Sequence, residues 1–214
     1  MLVKVCGMRR PDNIDEVAAL GIDLMGFIFY RKSPRCAGEP DRLTIEALHK
    51  RGVKAVAVFV DEDFDTVVST MERYGFTAAQ LHGNESIDYC DRLRQRGFTV
   101  LKAISIAGAE DMAKAAAYDG HADMLVLDTK CAGKGGSGVK FDWQLLADGN
   151  FTTPFLLSGG ISADDTDSVT AVYRSMPGLM AGIDLNSRFE TEPGVKSADM
   201  LRRFVNAIRA IDCD

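Results

Sequence analysis

Residues 53–81, VKAVAVFVDEDFDTVVSTMERYGFTAAQL, contain one complete strand–helix–strand unit, from which the rest of the chain can be interpreted. Residues 53–60 form a nearly continuous apolar run, which is typical of a strand buried on both faces. Residues 64–74 place apolar side chains at helical spacing, and Gly75 ends that helix. A short, mostly apolar run follows at residues 78–81. Apolar runs separated by helices predict parallel strands that are covered by the helices.

The same alternation continues in both directions along the chain and gives eight strand–helix units. The predicted strands are residues 2–6, 23–29, 53–60, 78–81, 99–104, 124–127, 155–157 and 179–183. The predicted helices are residues 13–20, 41–51, 64–74, 86–96, 109–118, 141–147, 163–173 and 197–211. Eight units favour a closed barrel over an open, doubly wound sheet. No linker or low-complexity segment divides the sequence, so we predict an α/β fold with a single-domain (β/α)8 TIM barrel over residues 1–214.

The composition limits the compartment and the partners. The chain has 214 residues, 46% of them hydrophobic, and a formal net charge of −6, which indicates neither a nucleic-acid nor a membrane partner. The five cysteines are odd in number, widely spaced and without a CxxC pair, which fits free thiols in a reducing compartment. The first five residues are too short an apolar run for a signal peptide. We therefore expect a cytoplasmic protein.

In a barrel of this class the active site lies at the carboxyl ends of the strands and in the loops after them. Polar residues stand at seven of these ends. They are Lys4 and Cys6, Arg35, Asp61, Gln80 and His82, Asp128, residues 158–160, and residues 184–187.

The loops after strands seven and eight predict a phosphate site. Residues 158–162, SGGIS, lead into a predicted helix, where Gly159 and Gly160 allow the backbone N–H groups to approach an anion. Residues 184–188 predict a short extra helix, which is the second part of a barrel phosphate site. A lone Ser-Gly-Gly more often marks a tight turn, but its position after strand seven favours the phosphate interpretation.

Cys6 and Asp128 end the first and sixth predicted strands, and we predict that they form the catalytic pair. A thiolate is a competent base, and Lys4, on the same face of its strand, is placed to lower the thiol pKa. The alternatives are a buried apolar role for Cys6 and a helix-capping role for Asp128. Gly7, which permits close approach, and the glycine-rich residues 129–139, which are typical of a mobile lid, favour catalysis.

Three further polar residues are candidates for substrate contacts. Arg35 lies in a basic loop that is either a solvated surface or a bidentate partner for a substrate carboxylate. Gln80 and His82 alternate along the fourth strand and therefore share a face. A histidine at a strand end is more often structural than catalytic, so His82 is a contact candidate only.

Taken in order, these motifs resemble those of the phosphoribosylanthranilate isomerases, barrel enzymes of tryptophan biosynthesis. The resemblance runs nearly end to end. It rests on residues 4–8 (KVCGM), 26–30 (GFIFY), 33–35 (SPR), 58–60 (VFV), 80–85 (QLHGNE), 127–129 (LDT), 135–138 (GGSG), 141–143 (FDW), 157–161 (LSGGI), 184, 187, 190 and 193–196 (PGVK). One departure is residues 185–188 (LNSR), where many members have a Val-Ser-Ser-Gly-like run.

The resemblance implies an Amadori rearrangement of N-(5-phosphoribosyl)anthranilate to 1-(o-carboxyphenylamino)-1-deoxyribulose 5-phosphate. It implies that Cys6 is the general base and Asp128 the general acid. Arg35 would bind the anthranilate carboxylate. The remaining expected substrate contacts are Gln80, His82, Gly159, Gly160, Asp184 and Asn186. No cofactor and no metal are expected, because the substrate nitrogen supplies the electron sink.

Other functions remain open at this point. A sugar-phosphate epimerase would use metal ligands on several strand ends, and His82 is the one histidine at such an end in the sequence. A flavin-dependent barrel would use the same phosphate loops, and a barrel that only binds a phosphorylated metabolite would need no catalytic pair. The expected partner in each case is a small phosphorylated molecule, and the sequence gives no oligomeric state.

Overall fold

A closed barrel of eight parallel strands, arranged in the order of the sequence, forms the centre of the molecule. The computed structural model describes residues 1–129 and 141–211. The barrel strands are β1 (Leu2–Cys6), β2 (Leu24–Ile28), β3 (Lys54–Phe59), β4 (Ala78–Leu81), β5 (Thr99–Ile106), β6 (Met124–Thr129), β7 (Phe155–Leu157) and β8 (Met180–Leu185). The first and last strands pair with each other, Lys4 opposite Asp184, which closes the barrel. The predicted α/β barrel is confirmed.

Within the described residues, seven α-helices cover the barrel. They are α1 (Pro11–Ala18), α2 (Arg42–Lys50), α3 (Phe64–Tyr74), α4 (Ile87–Gln95), α5 (Ala109–Ala117), α6 (Thr166–Ser175) and α7 (Ala198–Ile211). Side-chain caps start several of them, such as Asp63, which accepts from the backbone N–H groups of Asp65 and Thr66. Across the described ranges, no helix combines the length and the hydrophobicity needed to cross a membrane.

Alternation along the strands separates two apolar layers. Val56 of β3 faces the barrel interior, whereas Ala55 and Ala57 face the helices. The interior layer contains Leu24, Val56, Ala78, Leu101, Ala103, Val126 and Leu156. Because these side chains fill the lower barrel, the open space that a ligand needs lies at the carboxyl ends of the strands.

The sixth and seventh units differ from the prediction. The expected helix at residues 141–147 is a 3-10 helix, Trp143–Asp148, which Asp142 caps by accepting from the backbone N–H of Gln144. A 3-10 turn, Ala163–Asp165, precedes α6. Strand β6 continues to Thr129, so Asp128 lies within the strand rather than after it. The predicted lid, apart from Thr129, and Cys131 and Cys213 lie outside the described residues.

A two-stranded hairpin between β8 and α7 was not predicted. It consists of β9 (Glu190–Glu192) and β10 (Val195–Lys196), joined by Pro193 and Gly194. Gly194 has a φ of +87°, which a glycine adopts readily at the third position of such a turn. The side chain of Asn13 on α1 bonds both the backbone N–H and the carbonyl of Lys196, at 2.7 and 2.8 Å. The hairpin is therefore fixed against the body of the barrel.

Candidate active site

The residues predicted for catalysis lie at the carboxyl end of the barrel. Cys6 is the last residue of β1, and its thiol is buried. A Cβ added to Gly26 on the neighbouring strand would lie 2.7 Å from the Cys6 sulfur, so the thiol passes directly over that glycine. This contact explains why β2 carries a glycine at that position.

Three charged groups act on the Cys6 thiol. Burial raises the pKa of Cys6, while the ammonium groups of Lys4 and Lys196 act in the opposite direction and the carboxylate of Asp184 adds to the rise. Burial alone would lower the pKa of Lys4, but the charges and hydrogen bonds of Asp184 and Cys6 together outweigh it and raise that pKa. Lys4 Nζ lies 2.8 Å from Asp184 Oδ2, so a buried ion pair stands beside the thiol. The predicted influence of Lys4 on Cys6 has a structural basis in this contact.

Asp128 is held by residues at the carboxyl ends of three strands, β4, β6 and β7. Its Oδ2 lies 3.3 Å from His82 Nε2, and its Oδ1 accepts from the Ser158 hydroxyl at 3.3 Å and from the Thr129 N–H at 3.0 Å. His82 Nδ1 in turn lies 3.1 Å from Gln80 Nε2. The structure thus places three of the predicted residues, Gln80, His82 and Asp128, in one row, with a hydrogen bond between Gln80 and His82 and a 3.3 Å contact between His82 and Asp128.

Asp184 links the two ends of this site. Its Oδ2 is paired with Lys4, and its charge adds to the rise in the pKa of Cys6. Burial raises the pKa of Asp184 itself, and the carboxylate of Asp128 adds to that rise. Asp184 Oδ1 is buried and has no hydrogen-bond partner within residues 1–129 and 141–211. Gln80 Oε1 is likewise buried and has no hydrogen-bond partner among the described residues. A buried acceptor left without a donor is costly, so both oxygens fit contacts to hydroxyl or amine groups of a ligand.

Arg35 is not a solvated surface residue. Its guanidinium forms a bidentate ion pair with Glu190 of the hairpin, Nε to Oε1 at 2.9 Å and Nη2 to Oε2 at 2.8 Å. Lys196 Nζ donates to Glu190 Oε1 at 2.6 Å and to Asn186 Oδ1 at 2.8 Å. A Cβ on Gly7 would lie 3.0 Å from both Arg35 Cδ and Asn186 Oδ1, so these two side chains need a glycine beneath them.

The loops after β7 and β8 have the features expected of an anion site. Gly159 and Gly160 have φ values of +90° and +70°, and a Cβ on Gly159 would collide with Thr129. Among the described residues, the backbone N–H groups of both glycines donate to no protein acceptor. The extra helix predicted after β8 is a 3-10 turn, Ser187–Phe189, which follows Asn186 directly. These N–H groups are the donors that an anion would require.

Two residues of the site, Glu190 and Lys196, were not assigned a role from the sequence. Both lie on the hairpin, and both are buried at their charged ends. The dipeptide Pro193-Gly194 between short polar and apolar segments is a turn signal that could have revealed the hairpin. The contact of Glu190 with Arg35 spans 155 positions in the sequence, so no local pattern indicates it.

Metal ligation has little support in this part of the chain. Within residues 1–129 and 141–211, no three His, Cys, Asp or Glu side chains are grouped in a way that would hold a metal ion. The expectation that no metal is needed stays a prediction.

Comparison with known proteins identifies the family. The family model for N-(5'-phosphoribosyl)anthranilate (PRA) isomerase matches residues 3–207. The chain belongs to this family. The predicted resemblance is therefore confirmed, and with it the prediction that the chain is an isomerase enzyme.

Individual relatives agree with the family match over almost the whole chain. The N-(5'-phosphoribosyl)anthranilate isomerase of Parabacteroides distasonis is 43% identical, with 97% of this chain and 93% of the relative covered. That of Phocaeicola vulgatus is 38% identical, with 98% of both chains covered. The crystal structure of the Thermotoga maritima enzyme superposes with a TM-score of 0.83 at 29% identity, covering 98% of this chain and 99% of that one.

Proposed function

We propose that this chain converts N-(5-phosphoribosyl)anthranilate to 1-(o-carboxyphenylamino)-1-deoxyribulose 5-phosphate by an Amadori rearrangement, a step of tryptophan biosynthesis. The observation that carries the proposal is the position of Cys6 and Asp128 at the same end of the barrel, at the carboxyl ends of β1 and β6. A solved phosphoribosylanthranilate isomerase that contains the reduced product, at 28% identity and a TM-score of 0.80, supports it.

Substrate binding uses the two ends of the site. The phosphate group accepts from the N–H groups of Gly159 and Gly160 and lies near Asn186 after β8. The anthranilate carboxylate lies against Arg35, and the ribose hydroxyls bond to the unpartnered oxygens of Asp184 and Gln80. Holding the substrate by its two anionic ends places the ribose carbons between Cys6 and Asp128.

Ring opening is the first chemical step. Asp128 gives its proton to the furanose ring oxygen while the bond between that oxygen and C1 breaks. The nitrogen lone pair forms a C1=N double bond, which leaves an iminium ion. His82 and Ser158, in contact with Asp128, hold the carboxyl group in the orientation needed for this transfer.

Proton removal from C2 is the second step. The Cys6 thiolate takes the C2 proton, the C–H electron pair forms a C1=C2 bond, and the iminium electrons return to nitrogen. The ammonium groups of Lys4 and Lys196 stabilise the thiolate. The enolamine then gives its hydroxyl proton to the Asp128 carboxylate and takes a proton at C1 from the Cys6 thiol, which yields the ketone and returns both groups to their starting forms. The substrate nitrogen is the electron sink, so the proposed steps use no metal and no cofactor.

Two broader properties follow as proposals. The residues of the site come from strands β1 to β8, which supports a single catalytic unit over residues 1–214. The thiols of Cys6, Cys36 and Cys90 are free, which supports a cytoplasmic location.

The test is turnover of substrate generated in place, followed by the loss of anthranilate-type fluorescence. Cys6→Ser and Asp128→Asn should each lower kcat by about 10²- to 10⁴-fold, and Asp128→Asn should leave the affinity for the reduced product nearly unchanged. Cys90→Ser, which alters a buried thiol on α4, is the matched control and should keep most of the activity. If wild type and Cys6→Ser are equally inert, a binding protein for a phosphorylated metabolite is the better conclusion.

A further inference from the structure

Glu190 has more charged partners than any role in folding the hairpin requires. Its side chain is 5% exposed and accepts hydrogen bonds from Arg35, Lys196 and the backbone N–H of Gly194. Of these three contacts, the one with Gly194 is the contact that lies within the turn of the hairpin. The other two bring a carboxylate between two cations at the mouth of the barrel.

The geometry of the Arg35 contact leaves one edge of the guanidinium for another ligand. The group is planar, with five N–H donors, and offers two edges that can each bind a carboxylate through two parallel hydrogen bonds. Glu190 occupies the edge made by Nε and Nη2. On the other edge, Nη1 donates to no described residue, and the one bond of Nη2 goes to Glu190, so the outer N–H groups of this edge are available to a ligand.

The rest of the Arg35 side chain is also restrained. Its Cδ passes over Gly7, close enough that a Cβ there would lie 3.0 Å away. Glu190 is restrained in turn by Lys196, which Asn186 holds at 2.8 Å. The direction of the second guanidinium edge is therefore fixed by contacts at both ends of the side chain.

The charge balance agrees with this arrangement. Within this group of three, Arg35 and Lys196 carry two positive charges and Glu190 one negative charge, so Glu190 alone does not neutralise both cations. Burial would raise the pKa of Glu190, but its bonds to Arg35 and Lys196 outweigh burial and lower it, which keeps the carboxylate ionised.

We infer that Glu190 is a positioning residue that directs the Nη1 and Nη2 edge of Arg35 toward the carboxylate of the substrate. The inference rests on the proposed function, in which Arg35 binds that carboxylate. Glu190 itself need not touch the substrate. Its contribution is to spare the substrate the cost of ordering a long, flexible side chain.

The experiment measures how strongly the site prefers a carboxylate. Calorimetry gives the affinities of two ligands, reduced 1-(o-carboxyphenylamino)-1-deoxyribulose 5-phosphate and the same compound with hydrogen in place of the aromatic carboxyl group. The ratio of the two affinities is the readout, because a purely structural defect lowers both affinities together. Glu190→Gln should reduce the ratio by about two- to tenfold, and Glu190→Asp, which keeps the charge, by less.

Glu192→Gln is the matched control, because Glu192 lies on the same strand with an exposed side chain and should leave the ratio unchanged. In the Arg35→Met background, Glu190→Gln should have no further effect on the ratio. An unchanged or increased ratio in Glu190→Gln, with wild type preferring the carboxylated ligand, would overturn the inference alone. Wild type that shows no such preference would contradict the role of Arg35 in the proposed function and the inference with it.

Discussion

Two lysine–carboxylate pairs are buried on opposite faces of the barrel wall. Lys4 and Asp184 meet inside the barrel at 2.8 Å, and Lys102 and Glu85 meet outside it, under the helices, at 2.9 Å. All four side chains are almost fully buried. The two pairs have the same chemistry and nearly the same separation, so what distinguishes them is the set of neighbours that complete their hydrogen bonds.

The outer pair is closed. Lys102 donates to Glu85 and to the carbonyls of Leu81 and Gly83, which accounts for its three N–H groups. Glu85 accepts from the backbone N–H groups of Asp61 and Gly83. A closed pair of this kind ties the loop after β4 to the strands and has no donor or acceptor left for a ligand.

The inner pair is open. Asp184 Oδ1 lacks a hydrogen-bond partner among the described residues, and the other neighbour of Lys4 is the Cys6 thiol. A buried charge pair that is incompletely satisfied costs stability, and such groups are concentrated at functional sites. The comparison indicates that the outer pair maintains the fold and the inner pair serves chemistry.

Removing the outer lysine should give the largest loss of stability. Lys102→Met leaves Glu85 buried without its cation and two carbonyls without their donor, so the free energy of unfolding should fall by about 3–5 kcal/mol in urea denaturation. The kcat/KM of the folded fraction should fall by less than about tenfold. The reason is that the backbone N–H of His82 still donates to the Phe59 carbonyl at 2.8 Å, which keeps this residue of the site in place. Glu46→Gln, at the exposed pair with Arg42, is the control and should cost about 0.3–0.5 kcal/mol. A small loss in Lys102→Met would mean that the outer pair is not structural.

Removing the inner lysine should lower stability less and kcat/KM more than removing the outer lysine. Lys4→Met leaves Asp184 buried without its cation. Because burial already raises the pKa of Asp184, this carboxyl can take up a proton and lose its charge, whereas the backbone N–H groups around Glu85 hold that carboxylate ionised. The free energy of unfolding should therefore fall by about 1.5–3 kcal/mol, less than in the outer change. The kcat/KM of Lys4→Met should fall by about tenfold or more, because the Cys6 thiolate loses a neighbouring cation. Equal activity losses in Lys4→Met and Lys102→Met would remove the distinction between the two pairs.

The smallest expected effect is a shift along the pH axis in the profile of kcat/KM. Lys196 lowers the pKa of Cys6, so Lys196→Met should raise it. In the proposed mechanism the Cys6 thiolate is the catalytic base, so kcat/KM should rise with pH as the thiol ionises, and this rising limb should move to higher pH in the variant. Lys50→Met, at an exposed position on α2, is the control and should leave the limb in place. An unmoved limb in Lys196→Met would show that its charge does not reach the thiol.

The sequence predicts the scaffold well because the scaffold depends on local patterns. Strands β1, β4 and β7 and helix α3 have the predicted bounds, since apolar runs and terminal glycines mark their ends. The loop proposed to bind the phosphate was predicted for the same reason, because Ser158, Gly159 and Gly160 follow an apolar strand.

The interactions within the site could not be predicted in this way. Lys4 and Asp184 are 180 positions apart and meet because the barrel closes. Lys102 lies within an apolar strand, where a lone lysine gives no sign of its partner. Arg35 was expected to face a substrate carboxylate. Its bond to Glu190 depends on the hairpin after β8, which the sequence did not predict.

A structure of this chain with reduced 1-(o-carboxyphenylamino)-1-deoxyribulose 5-phosphate tests the central claim most directly. The account predicts that the phosphate accepts from the N–H groups of Gly159 and Gly160, while the Cys6 sulfur and an Asp128 oxygen contact the ribulose chain from different sides. A ligand whose ribulose carbons lie beyond contact with the Cys6 thiol, or whose phosphate lies away from the two glycines, would contradict it.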